Sequence, residues 1–107
     1  MCTDDVIDKK CEAVSIMDSQ FVERGVSGSD EIVPKNEQEL TAARKRVAES
    51  FNDRFKRTAD RFRGLLREWY GEDRGAEISS AEAFEICEYG RRPTTDELKL
   101  LFPFFGN

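Results

Sequence analysis

From Asn36 to Tyr70 the large apolar residues Leu40, Val47, Phe51, Phe55, Phe62, Leu65, Leu66 and Trp69 recur at steps of three, four and seven. Small Ala43, Ala48 and Ala59 lie between them. Such steps keep a set of side chains on one stripe of a 3.6-residue helix, so the spacing predicts one long amphipathic helix over 36–70. No proline interrupts the chain between Pro34 and Pro93, and the one interior glycine, Gly64, costs only about 1 kcal/mol. The start is marked by Pro34, then Asn36 with Glu39 three residues on, the spacing of a capping box. At 1.5 Å per residue the helix would run roughly 50 Å, more than a small domain can sheath. It is therefore expected to project from a compact lobe or to lie against a partner.

With 107 residues, 38% hydrophobic and 36% charged, the chain can build only a modest core, to which eight Phe, one Trp and two Tyr contribute much. The predicted organisation is an acidic leader, 1–35, partly ordered and able to order on binding, followed by a single helical domain, 36–107. Charge is unevenly spread. From Ala42 to Arg67, nine basic residues stand against three acidic ones, while the rest of the chain holds eight against nineteen, for a net charge of −5. A basic helix in an acidic chain pairs with its own acidic flanks or meets an external anion. Cys2, Cys11 and Cys87 are odd in number and lack metal-type spacing, and no signal peptide is read, so reduced thiols and a cytoplasmic location are expected. No apolar run is long enough for a membrane span. The absence of histidine removes the commonest general base and the commonest zinc ligand.

In the leader, Val6, Ile7, Val14, Ile16, Met17, Phe21 and Val22 suffice for one or two short helical turns, and Gly25–Asp30 (GVSGSD) reads as a turn or link. After Tyr70, Gly71 and Gly75 bracket an acidic stretch read as a loop. Ser79 with Glu82 predicts a second capped helix carrying Ala83, Phe84 and Cys87, closed at Tyr89–Gly90, with Cys87 as a buried thiol. Thr94 with Glu97 predicts a third, carrying Leu98, Leu101 and Phe102 and ended by Pro103.

The run Gly71–Phe102, GEDRGAEISSAEAFEICEYGRRPTTDELKLLF, resembles the calmodulin and myosin-light-chain EF-hand superfamily. Phe62, Leu66 and Trp69 match the incoming helix, Ile78 the hydrophobic loop position and Glu82 the twelfth. Gly90, Pro93, Thr94, Glu97 and Leu98 match the linker and the next helix. The resemblance implies an all-α fold in which the long helix leads into a helix–loop–helix like a degenerate EF-hand pair. Where the family's loop needs Asp, Gly71 stands at position one, and where it needs Gly, Ala76 stands at position six. Asp73 and Glu82 fall short of the six to eight oxygens a calcium ion takes, so the resemblance implies a metal-free hand kept for shape.

Chemistry is thinly provided for. Glu72, Asp73, Glu77 and Glu82 cluster in sequence, but their spacing is that of a solvated acidic loop. Cys87 lacks a histidine partner, and no phosphate-binding glycine loop occurs. The expected function is a non-catalytic adaptor or light-chain-like subunit that needs no cofactor and docks by helix packing to another protein or to a second copy. Its anchors would be Val47, Phe51, Phe55, Phe62, Trp69, Phe104 and Phe105. Phe62, Leu66 and Trp69 also fit an internal core, and Phe51 and Phe55 need either an external partner or the folded-back leader. The alternative is a nucleic-acid-binding or inhibitor protein using Arg44, Lys45, Arg46, Arg54, Arg57 and Arg61 along the basic helix. Asp53 and Asp60, interleaved as helical neighbours, weaken that reading.

Overall fold

A computed structural model describes residues 1–24, 28–29 and 32–103. The turn expected around Gly25–Asp30 lies mostly outside the described residues, and Phe104 and Phe105 lie outside them entirely. The chain is all-helical, as expected. Its elements are α1 (Ile7–Ser15), α2 (Asp18–Phe21), α3 (Glu37–Arg61), α4 (Arg63–Tyr70), α5 (Glu72–Glu77) and α6 (Thr95–Leu101). Among the described residues there is no strand, only an isolated antiparallel bridge between Cys2 and Ala81. No helix among them is long and apolar enough to cross a membrane. Two compact units divide the chain, Asp5–Phe55 and a second made of Met1–Asp4 with Lys56–Asn107.

In the Asp5–Phe55 unit, α3 begins as its sequence predicts. Asn36 Oδ1 accepts from the Glu39 N–H at 2.9 Å, and the Glu39 carboxylate accepts from Asn36 Nδ2 at 3.0 Å and from the Lys35 N–H at 2.8 Å. The leader folds back onto this helix. Phe21 meets Phe51 edge to face with ring centroids 4.9 Å apart, and the Lys10 ammonium stands 4.6 Å from the centre of the Phe55 ring. Cys11, Val22, Ala43 and Phe55 are buried. The leader can do this because α3 offers both an apolar stripe and a cation: Arg44 donates Nε and Nη2 to the two oxygens of Asp18, at 2.9 and 2.6 Å.

The expected 36–70 helix is two helices, parted within the other unit. The break falls at Phe62 (φ −107°, ψ 25°), between α3 and α4. Beside it, the Arg63 guanidinium donates to the carbonyls of Gly75, Ala76 and Ile78, closing the C-terminal end of α5, and to Asp60 at 2.9 Å. Leu66 and Tyr70 of α4 are buried in a cluster with Ala59, Ile78 and Ala81, against which Cys2 and Trp69 pack. Helices take most of their stability from packing rather than propensity, so an apolar stripe bends where burial asks for it.

Two further expectations are corrected. The stretch read as a glycine-bracketed loop is helix α5, entered through Gly71, whose φ of 85° only glycine adopts freely. Glu72 and Asp73 sit in its first turn, where acids favour a helix, and Glu72 pairs with Arg67 at 3.2 Å. Conversely, the helix expected from Ser79 does not form; no helix lies between α5 and α6. The N–H groups its capping box would have used are taken by the chain start. Asp4 accepts from the Ser79 and Ser80 N–H groups, Thr3 N–H donates to Ser80 O at 3.0 Å, and Glu82 N–H donates to Met1 O at 2.9 Å. Consequently Cys87, expected to be buried, is exposed. The α6 capping box is present in full, with Glu97 N–H donating to Thr94 Oγ1 at 3.3 Å and Thr94 N–H to the Glu97 carboxylate at 2.8 Å.

Candidate functional site

The apolar anchors picked from the stripe are placed as follows. In the Asp5–Phe55 unit, Phe55 is 8% exposed and belongs to the core, while Phe51 is half-buried between Phe21 and Phe55, its ring 6.3 Å from that of Phe55. Val47 is half-buried. In the other unit, Phe62 is half-buried with the Arg61 guanidinium 5.3 Å from its ring centre, and Trp69 is half-buried against the core cluster. Much of the stripe thus has an internal occupation.

The basic residues are divided. Arg44 is committed to Asp18, and Lys45 lies 3.9 Å from Glu49. Arg54 stands 5.6 Å from the centre of the Phe51 ring. Arg46 lines an open groove with Ile32, Val33, Pro34, Lys35 and Ala42. Arg57 and Arg61 are exposed on the C-terminal turns of α3.

A partly buried polar network lies at the chain start. Asp4 receives Ser79 N–H and Oγ–H at 3.0 and 2.9 Å, and Ser80 N–H and Oγ–H at 2.6 and 2.7 Å. Burial is the largest single influence on its carboxyl and pushes it upward, but the serine hydrogen bonds together outweigh this and hold it below its ordinary 3.8. Thr3 Oγ1 donates to Ser80 Oγ at 3.0 Å, and Cys2 N–H donates to the Tyr70 hydroxyl at 3.0 Å. Burial pushes the Tyr70 hydroxyl upward in pKa, and it does the same to the Cys11 thiol. A raised thiol pKa disfavours the nucleophilic thiolate. Asp4 and Thr3 fasten the Met1–Asp4 segment onto Ser79 and Ser80, and Tyr70 holds the Cys2 N–H.

What the sequence reading missed is the surface that follows this lock. Phe84 is 74% exposed, Tyr89 92%, Leu100 81% and Leu101 66%; Ile86 and Phe102 are exposed too. Helix α6 buries no residue. The signal was present as a run of large apolar residues within a stretch poor in other apolar material, but the capping-box pattern at Ser79 assigned Phe84 to a helix face with a core to meet. Among the described residues, no group of three or more His, Cys, Asp or Glu side chains comes together as a metal cage would require. No protein-family model, curated protein or solved structure matches this chain.

Proposed function

We propose that this chain is a non-catalytic protein-binding subunit, an adaptor that docks to another protein through apolar side chains and without a metal. The observation that carries this reading is the exposure of Phe84, Tyr89, Leu100 and Leu101 in the stretch that ends with α6. Large apolar side chains gathered in one exposed stretch mark interaction surfaces. Helix α6 starts at its own capping box, and Arg91 Nη1 donates to the Glu97 carboxylate at 2.7 Å, so the start of the helix is fixed by neighbouring residues. A short preformed helix presenting Leu100 and Leu101 suits docking into an apolar groove. The anchors move accordingly from Phe51 and Phe55 of the long helix to the C-terminal stretch. A reducing compartment such as the cytoplasm agrees with three free cysteines.

Affinity capture from the native source tests the proposal, comparing the wild-type chain with the double variant Leu100→Glu, Leu101→Glu. One protein retained by the wild type and lost by the variant, with helical circular dichroism unchanged, is the expected result. Capture of nucleic acid instead, unaffected by the variant and falling steeply with salt, would transfer the function to the basic side chains of α3.

A further inference from the structure

The stretch Phe84–Tyr89 interleaves exposed Phe84, Ile86 and Tyr89 with exposed Glu85 and Glu88. No Lys or Arg occurs between Arg74 and Arg91, so this stretch carries one sign of charge. Neither Glu85 nor Glu88 has a salt bridge among the described residues. The same compact unit holds the opposite surface. Lys56 and Arg57 of α3 are exposed and likewise have no salt bridge among the described residues. One turn on, Arg61 already holds its guanidinium over the Phe62 ring, and Leu65 is 52% exposed.

These two surfaces complement each other in both charge and chemistry. The acidic stretch offers carboxylates and aromatic faces; the end of α3 offers guanidinium groups, which pair with carboxylates and stack on aromatic rings. Among the described residues, none of Glu85, Glu88, Lys56 and Arg57 is held in an ion pair within its own chain. We infer that the occupant of the Phe84–Tyr89 stretch is a second copy of this chain, with Glu85 and Glu88 facing Arg57 and Arg61 of that copy and Phe84 or Tyr89 stacked on their guanidinium groups. A polyanion does not fit the acidic stretch, because the carboxylates repel it. This inference rests on the protein-docking reading above and specifies the partner for part of that surface.

Sedimentation velocity of the full chain tests it, from about 5 µM to about 1 mM protein and from roughly 0.05 to 0.5 M salt. The wild type is expected to associate as concentration rises and to dissociate as salt screens the contact. The double variants Glu85→Lys, Glu88→Lys and Arg57→Glu, Arg61→Glu should each associate more weakly by about tenfold or more. An equimolar mixture of the two should associate again, because each chain then meets a complementary surface on the other. All four positions are exposed, so the variants should retain the wild-type circular dichroism. A wild type that stays monomeric throughout, association indifferent to both variants, or a mixture that fails to recover would each overturn the proposal. A monomeric wild type leaves capture of a different protein intact, and failed capture leaves the sedimentation result intact, so the two readings fail separately.

Discussion

At the scale of single residues, Asp4 and Gly75 hold positions that composition does not advertise. The Asp4 carboxylate gathers hydrogen bonds from both backbone and side chain of Ser79 and Ser80, and so joins the chain start to a segment 75 residues away. Asp4→Asn keeps the shape but loses acceptor capacity and charge; a loss of about 1–2 kcal/mol is expected in urea unfolding, allowing for partial exposure. The sign of the pH effect follows from its lowered pKa. The stabilisation is fully present above the ordinary 3.8 and is lost as pH falls through the lower folded value. Acid titrations should therefore show a shallower loss of stability below about pH 4 in Asp4→Asn than in the wild type. Gly75 is buried within α5, where an added Cβ would meet the Arg67 Cα and lie 2.5 Å from both Arg67 N and Leu66 O. Backbone on backbone cannot give way as a flexible side chain would, so Gly75→Ala should cost about 3 kcal/mol in thermal or urea unfolding.

At the scale of elements, the capping box at Thr94–Glu97 forms in full and Asn36 caps α3 as its spacing predicts, although Glu39 returns its carboxylate to the Lys35 N–H rather than to that of Asn36; both caps need only neighbouring residues and no distant partner. The box predicted at Ser79–Glu82 has the same local pattern and fails because Asp4 and Met1 claim its backbone groups. Thr94→Ala separates local from global stability. Losing the cap should weaken α6 by about 1 kcal/mol. Because α6 buries nothing, the expected result is faster amide exchange at Leu98–Leu101 with little change in the global unfolding midpoint. The break at Phe62 belongs to this scale too. The 3.6-residue stripe continues from Phe55 through Trp69, so periodicity alone sees one helix, whereas Arg63 is drawn to the end of α5 and Leu66 into the cluster around Ala59.

At the scale of the whole chain, Phe55 and Leu66 of the apolar stripe are buried in their own units, and the most exposed large apolar side chains among the described residues, Tyr89, Leu100 and Phe84, lie in the C-terminal stretch. This separates two kinds of aromatic residue experimentally. Phe55→Ala should cost about 3 kcal/mol of stability, as the loss of a buried ring does. Phe84→Ala and Tyr89→Ala should each stay within about 0.5 kcal/mol of the wild type in the same urea series. Helix content, the capped starts of α3 and α6, and the apolar face of the long helix were readable in the chain because they depend on residues three or four apart. The leader's place on α3 was half readable, as one of two covers that Phe51 and Phe55 required. Tertiary structure alone decided that Met1–Asp4 would pair with Ser79–Glu82, that the long helix would bend at Phe62, and that Phe84 would be left in solvent. Those outcomes depend on contacts across 15 to 81 residues, as from Arg63 to Ile78 or from Met1 to Glu82, which no local pattern records.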